Sequence, residues 1–315
     1  METFILAAIS GLFIGIFSGL LGIGGGTLMI PLFRLGFGLS AISATATSLF
    51  TIIPTSLSGC ITHLKHKTCI PALGLAAGIG GACTSPLGVL VANQSPGWLI
   101  MLAAACIIAY SAFTMITKAL RMPKPAHSSM GIKLQLRAMA SAFKNDIDKD
   151  SAEKKEPASA KAPHEKSARQ VIFEKNLAVV DEKPVEMTAK RVVMGVLIGL
   201  VAGFASGYVG VGGGFLMVPL FLSVLGVSMR HASGTSLIAV TLLAIPGVIT
   251  QGFLGHIDYL AGIAIAIGSI PGAMIGASLL RFIPERKLRF LFGIFLMLSA
   301  VVLAINEFYP MILGA

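Results

Sequence analysis

Two stretches of the sequence decide the fold: residues 11–33 read GLFIGIFSGLLGIGGGTLMIPLF, and residues 199–221 read GLVAGFASGYVGVGGGFLMVPLF. The second begins 188 residues after the first (199 minus 11), and the two are identical at 14 of 23 positions, which indicates an internal repeat. Both contain the pattern G-x-G-G-G-x-L-M-x-P-L-F, which begins at Gly22 in one copy and at Gly210 in the other.

The glycine run predicts a break in an apolar helix. In a helix interior a glycine costs about 1 kcal/mol relative to alanine, and a proline costs about 3. Three adjacent glycines followed by Pro31 or Pro219 therefore do not fit a straight helix. We predict a helix that ends at the glycines and restarts before the proline. In a bilayer such a break is buried in protein or lines a wet cavity, and paired breaks in two repeats indicate a transporter binding site.

The composition is typical of a polytopic membrane protein with one charged insertion. Of 315 residues, 55% are hydrophobic and only 12% are charged, whereas soluble domains carry about 25% charged residues. Between Lys118 and Arg191 lie 16 of the 24 Lys and Arg and 10 of the 14 Asp and Glu. We predict a first transmembrane repeat at 1–118, a soluble cytoplasmic insertion at 119–190 and a second transmembrane repeat at 191–315. The net charge of +10 therefore does not indicate a nucleic-acid partner.

Four apolar segments in each half predict an all-α fold. Each segment is long enough, or nearly so, to span about 30 Å as a helix. The segments cover about 4–33, 41–60, 70–91, 98–117, 192–221, 232–253, 259–281 and 288–306. The four cysteines all fall in the first half without a C-x-x-C pair, and we interpret them as packing residues rather than a metal site or disulfide.

The basic loops predict the orientation. Loop 63–68 in the first half and loop 281–289 in the second are basic, although they are not equivalent loops. If each glycine break forms a re-entrant element, each half crosses the membrane an odd number of times and the halves are inverted. Loops 63–68, 118–191 and 281–289 then all face the cytoplasm, in agreement with the positive-inside tendency. We therefore predict inverted repeats in a multi-pass inner-membrane protein; parallel halves are the alternative.

Enzyme signatures are missing from the sequence. The glycine run lacks the Lys-Ser/Thr of a phosphate-binding P-loop, and it follows a helix-length apolar run rather than a strand, unlike a dinucleotide fingerprint. Neither H-E-x-x-H nor G-x-S-x-G occurs, and the apolar segments contain almost no Asp or Glu. The sequence therefore predicts no enzyme, no catalytic residues, no cofactor and no metal.

The candidate binding site consists of backbone N–H and hydroxyl groups at the two breaks. The first N–H groups of a restarted helix have no intrahelical partner and favour negative charge. Hydroxyls at matching places in both halves add donors, which predicts a compact anion cradle; close packing of small residues is the alternative interpretation. The substrate-binding residues are Gly24, Gly25, Gly26, Thr27, Thr47 and Ser48 in the first half, and Gly212, Gly213, Gly214, Thr235 and Ser236 in the second.

Three further side chains are weaker candidates. Arg34 is a cation shortly after the first break, although Leu222 takes its place in the second half. His63 and His256 close equivalent segments, and histidine titrates near neutral pH, so both are candidates for carrying protons. The expected partners are a small anionic substrate and the lipid bilayer; a homo-oligomer and coupling to H⁺ or Na⁺ stay open.

The repeated motifs carry a family resemblance. The doubled G-x-G-G-G-x-L-x-x-P, the A-x-x-T-S-L that follows it at 44–49 and 232–237, and the G-S-I-P-G-A at 268–273 resemble the TauE/SafE sulfite exporter family, also called the toluene-sulfonate uptake permease family. The resemblance covers about 1–118 and 190–306 and not the insertion. It implies transport of sulfur-containing oxyanions such as sulfite or sulfonates, usually as export.

Three functions follow from these observations. The first is export of a small sulfur oxyanion, which binds between the two breaks and is exposed alternately to each side of the membrane. The second is ion-coupled uptake of a sulfonate by the same fold. The third is a membrane scaffold or assembly factor that uses the insertion as a docking module.

Overall fold

The computed structural model describes residues 2–121 and 188–313, and every regular element in these ranges is helical. Most of the insertion predicted at 119–190 lies outside the described residues. The α-helices are α1 (Glu2–Leu21), α2 (Gly26–Gly36), α3 (Ala41–Lys65), α4 (Pro71–Gln94), α5 (Gly97–Arg121), α6 (Ala189–Val209), α7 (Gly214–Val224), α8 (Met229–Phe253), α9 (Tyr259–Leu279) and α10 (Glu285–Leu313). A short 3₁₀ helix, Leu280–Phe282, joins α9 to α10.

Seven described helices are long and apolar enough to cross a membrane, namely α3, α4, α5, α6, α8, α9 and α10. The protein is thus an all-α polytopic membrane protein, as the composition predicts. The apolar segment at 4–33 forms α1 and α2, and the segment at 192–221 forms α6 and α7. The remaining six segments each form one helix.

The two halves pack on each other along faces of small residues. Glycines four residues apart on one helix lie against the backbone of a helix from the other half, at distances that leave no room for a Cβ atom. The pairs are Gly11 with Ile265, Gly15 with Ser269 and Gly19 with Ala273 between α1 and α9, and Gly199 with Ala77, Gly203 with Gly81 and Gly207 with Ser85 between α6 and α4. Because the residue numbers rise together in each series, α1 runs parallel to α9, and α6 runs parallel to α4.

Helices α3 and α8 cross at the centre of the bundle in opposite directions. Gly59 of α3 faces Leu237 of α8, and Leu49 faces Gly247. Helix α3 also runs parallel to α9, and α4 runs parallel to α8. For α3 and α9 the contacts are Thr51 with Gly262 and Gly59 with Ala273. For α4 and α8 they are Gly74 with Thr235 and Gly81 with Leu243. Helices α1, α3 and α9 therefore run one way and α4, α6 and α8 the other, so that helices 188 residues apart in the chain are antiparallel.

These directions determine which loops share an end of the bundle. Because α3 and α9 run parallel, the loop that follows Lys65 and the loop that follows Leu279 lie at the same end. Helix α8 begins at this end too, since the Met229 N–H donates to Glu285 Oε1 at 3.1 Å. The basic loops 63–68 and 281–289 thus lie at the same end of the bundle, although they occupy different places in the two halves.

Candidate functional site

The glycine run breaks an apolar helix at the same place in each half. Helix α1 ends at Leu21 and α2 begins at Gly26, and α6 ends at Val209 and α7 begins at Gly214. The connecting backbone enters the left-handed region, which glycine adopts without the steric cost of a Cβ atom. The φ angles are 75°, 77° and 86° at Gly22, Gly24 and Gly25, and 79°, 86° and 68° at Gly210, Gly212 and Gly213.

The two breaks contact each other inside the bundle. A Cβ atom added at Gly26 would lie 2.5 Å from Val211 O, and one added at Gly214 would lie 2.5 Å from Gly22 O. Positions 22–27 and 209–215 are all buried. The structure therefore brings together the six glycines at 24–26 and 212–214 that the sequence singles out.

The first turns of α2 and α7 present backbone donors at this contact. Leu28 and Met29 donate to Gly25 O, both at 3.2 Å. Among the described residues no acceptor is seen for the N–H groups of Gly26 and Thr27, or for that of Phe215 in α7. Both helices direct their positive dipole ends to the contact, which favours an anion there.

Of the five hydroxyls predicted to line the cradle, the four that occur at matching places in both halves have partners in the protein, and Thr27 has none among the described residues. Ser236 Oγ lies 2.6 Å from Gly22 O, and Ser48 Oγ bonds the equivalent carbonyl of Gly210. The Thr47 and Thr235 side chains accept backbone hydrogen bonds just before α9 and α4: Asp258 N–H donates to Thr47 Oγ1 at 3.0 Å, and Ile70 N–H donates to Thr235 Oγ1 at 2.9 Å. These four side chains attach each glycine break and loop to a helix of the other half.

Each histidine makes a side-chain hydrogen bond across the end of its helix. The two positions joined by this bond are equivalent in the two halves, but the residue types at them differ. His63 Nε2 lies 2.9 Å from Gly19 O and therefore carries a proton, and its Nδ1 lies 2.7 Å from Thr68 Oγ1. His256 Nδ1 lies 2.9 Å from Gln251 Oε1. With the offset of 188, His63 corresponds to Gln251 and Thr68 corresponds to His256. The histidines thus end equivalent helices but are not equivalent residues.

Arg34 is not at the break. It lies in the last turn of α2 and is half-buried. Eight residues separate it from Gly26, which is about 12 Å along the axis at 1.5 Å per residue. Its charge is placed at the C-terminal end of the helix, where the helix dipole favours a cation.

Three other buried hydroxyls at the breaks have no partner among the described residues, namely Ser18, Thr27 and Ser206. Ser18 and Ser206 are equivalent, since both precede the glycine run within the repeated stretch. These two serines are not among the site residues predicted from the sequence, although a serine four residues before the first glycine of the motif recurs in both copies.

Among the described residues, no three or more His, Cys, Asp or Glu side chains lie together where they could hold a metal ion.

Two broken helices meet inside this apolar helical bundle. Such an arrangement is typical of one class of protein, the polytopic membrane transporters. The model of the sulfite exporter TauE/SafE family matches residues 7–303. The chain therefore belongs to the TauE/SafE sulfite exporter family, as the sequence motifs predict.

The relatives are described as probable membrane transporter proteins. YunE of Bacillus subtilis is 24% identical over 308 residues, which cover 94% of this chain and 95% of the relative. YdhB of the same organism is 24% identical over 277 residues, with 88% and 90% covered. A Xylella fastidiosa protein is 32% identical over 118 residues, with 37% and 45% covered. No solved structure matches the chain.

Proposed function

We propose that this membrane protein exports a small sulfur-containing oxyanion across the inner membrane. The observation that carries the proposal is the contact between the two glycine breaks, where the N-terminal ends of α2 and α7 meet inside the bundle. An oxyanion there accepts hydrogen bonds from the unpaired N–H groups and is stabilised by two helix dipoles. The choice of sulfur chemistry rests on the family name alone.

Alternating access follows from the position of the breaks between the halves. Gly26 contacts Val211, and Gly214 contacts Gly22, so both halves contribute to the same site. Helices 188 residues apart run in opposite directions, which is the geometry expected of inverted repeats. A rocking of one half against the other opens the site first to one side of the membrane and then to the other.

Membrane potential favours export over uptake. Moving one charge across the membrane is worth about 2.3 kcal/mol per 100 mV. With the inside negative, a divalent anion therefore leaves downhill by about 4.6 kcal/mol per 100 mV without a coupled ion. Uptake of the same anion requires several coupled cations, which is the alternative that transport measurements have to distinguish.

The test is efflux of sulfite from proteoliposomes that contain the purified protein. The break variants are Gly24→Ala and Gly212→Ala, in which the new Cβ meets Val240 Cγ1 at 2.9 Å and Ile52 Cδ1 at 2.8 Å. The matched controls are Gly38→Ala and Gly226→Ala; both glycines have a positive φ, of 66° and 65°, with no atom within 4 Å of the added Cβ. All four substitutions strain the backbone, but only the first two crowd the breaks.

We expect the break variants to lose at least about nine-tenths of the flux while the controls keep most of it. Thermal unfolding of each variant in detergent separates a loss of transport from a loss of folding. Normal flux in both break variants would exclude the breaks as the site. Transport that stops with a protonophore, or without sodium, would favour coupled uptake, and no flux of any sulfur oxyanion would refute the proposed substrate class.

A further inference from the structure

Three buried hydroxyls at the breaks lack the hydrogen bonds that buried hydroxyls normally make. Ser18, Thr27 and Ser206 have no exposed surface, and their Oγ atoms have no partner among the described residues. Most buried polar side-chain atoms in proteins are hydrogen-bonded, so an unsatisfied one calls for an explanation. Here three occur at the two breaks, where the N–H groups of Gly26, Thr27 and Phe215 also lack an acceptor among the described residues.

The geometry places the two serines against the glycines that precede α2 and α7. A Cβ atom built at Gly25 would lie 3.5 Å from Ser18 Cβ. The equivalent atom at Gly213 would lie 3.4 Å from Ser206 Cβ. Ser18 O and Ser206 O accept the N–H groups of Gly22 and Gly210, at 2.8 and 2.7 Å, so the serine backbones are fixed while their hydroxyls stay unpaired.

Neighbouring hydroxyls differ from these three. Ser48 and Ser236, which are also buried at the breaks, both bond carbonyl oxygens of the opposite half. The hydroxyls of Ser18, Thr27 and Ser206 are therefore not unpaired because the region lacks acceptors, since Ser48 and Ser236 bond carbonyl oxygens there. The unpaired N–H groups can only donate, whereas the hydroxyls can donate or accept. An occupant that supplies acceptors therefore satisfies the whole set.

We propose that Ser18, Thr27 and Ser206 donate hydrogen bonds to the transported oxyanion, together with the N–H groups of Gly26, Thr27 and Phe215. This inference rests on the proposed function and names the side chains that bind the substrate. It also defines the ligand: a compact anion with at least three acceptor oxygens, such as sulfite or a small sulfonate. A halide, which cannot present separate acceptor atoms to three hydroxyls, binds less well.

The site is not symmetric. Phe215 replaces Thr27 in the second half and is itself fully buried. The first break therefore supplies two of the three hydroxyls and the second supplies one. The oxyanion accordingly binds closer to the start of α2 than to the start of α7.

The experiment measures binding and stability in the same variants. The variants are Ser18→Ala, Ser206→Ala and the near-isosteric Thr27→Val. The control is Ser111→Ala, which removes another buried hydroxyl without a partner, on α5 and outside the breaks. Affinity for sodium sulfite and sodium methanesulfonate is obtained from the shift in unfolding midpoint of the purified protein in detergent, with sodium chloride as the reference salt.

We expect each of the three variants to weaken sulfite binding about tenfold or more, since hydrogen bonds to charged groups are among the stronger ones. The unfolding midpoint without ligand is expected to stay the same or to rise, because the substitution removes an unsatisfied buried hydroxyl. Ser111→Ala is expected to keep wild-type affinity.

Two results would overturn the inference while leaving the proposed function intact. One is unchanged sulfite affinity in all three variants of a protein that binds sulfite. The other is a lower unliganded midpoint with unchanged affinity, which would make the hydroxyls structural. If the wild-type protein binds neither anion more tightly than chloride, the proposed function and this inference both fail.

Discussion

At the residue scale, His63 connects α3 to the end of α1 by a hydrogen bond to Gly19 O. We predict that His63→Ala lowers the free energy of unfolding by about 1–3 kcal/mol, because it leaves a buried carbonyl without its donor. His63→Gln should lower it less, since an amide N–H remains and the second half carries Gln251 at the equivalent position. Chemical denaturation in detergent, followed by intrinsic fluorescence, measures both values.

The same pair of variants tests the proton-carrying role predicted for His63. Glutamine does not titrate near neutral pH, so a protein that needs a proton on His63 loses its pH-dependent flux in His63→Gln. We expect His63→Gln to keep the wild-type pH profile of sulfite efflux, because its imidazole is occupied by two protein partners. A flattened profile would restore the proton-carrying interpretation.

Cys69 lies in the loop between α3 and α4, and its thiol is an unusually weak acid. Burial, and to a smaller extent the neighbouring Cys60, raises the pKa of the Cys69 thiol from 9.0 to about 11. Because the thiolate is the reactive form, a raised pKa lowers its fraction at pH 7.5 about a hundredfold relative to an ordinary thiol. We predict that a protein with Cys69 as its single cysteine, which keeps the larger effect of burial but not that of Cys60, reacts roughly ten- to a hundredfold more slowly with a small methanethiosulfonate reagent than Lys67→Cys in a cysteine-free background.

The pH dependence of the two labelling rates is the second measurement. The Cys69 rate should rise about tenfold per pH unit up to pH 10, whereas the Lys67→Cys rate should level off near pH 9, since Lys67 is exposed. Equal rates at pH 7.5 would mean that the Cys69 thiol is more exposed than its half-buried place in the structure implies.

Residue types at the breaks were predictable from the sequence, but hydrogen-bond partners were not. The left-handed glycines follow from local backbone chemistry, because only glycine adopts a positive φ without steric cost. Whether Thr47 or Ser18 has a partner depends on which helix of the other half lies opposite. Thr47 meets the backbone of Asp258, which is 211 residues away, and no local pattern encodes that contact.

At the scale of elements, the helices were predictable and their neighbours were not. The apolar runs and the glycine break give α1, α2, α6 and α7 directly. The small residues that allow close packing occur on several faces of α4 and α9, so the sequence does not say which helix each face meets. The structure shows that the first helix of one half packs on the fourth helix of the other half.

This packing predicts opposite effects for two helical glycines. Gly203→Ala should lower the free energy of unfolding by about 1–3 kcal/mol, because its Cβ would overlap the backbone of Gly81 and force α6 and α4 apart. Gly252→Ala in α8 should raise it by a few tenths to about 1 kcal/mol, because alanine favours the helix and the nearest atom, Tyr259 Oη, is 3.5 Å from the added Cβ.

Thermal unfolding midpoints of the wild-type protein and the two variants in one detergent measure both changes in stability. A stabilised Gly203→Ala protein would mean that α6 and α4 do not approach as closely as the glycine contacts require. A large loss in Gly252→Ala would point to a role for Gly252 that its open surroundings do not explain.

At the scale of the whole molecule, inverted halves stay a prediction, with which both the loop charges and the helix directions agree. Loops 63–68 and 281–289 are rich in Lys and Arg, which favour the cytoplasmic side of a membrane. The helix directions place these two loops at one end of the bundle. The cytoplasmic place predicted for the charged insertion at 119–190 rests on the charge pattern alone, since most of it lies outside the described residues.

The orientation is tested with single cysteines at Lys67, Gly255 and Lys287, all of which are exposed. Lys67 and Gly255 are 188 residues apart and occupy equivalent loops. Parallel halves would place these two on the same side of the membrane, whereas inverted halves place them on opposite sides. We predict that an impermeant maleimide labels Gly255→Cys in right-side-out vesicles, and labels Lys67→Cys and Lys287→Cys only in inside-out vesicles. Labelling of Lys67→Cys and Gly255→Cys from the same side would refute the inverted arrangement and, with it, a site formed by oppositely directed halves.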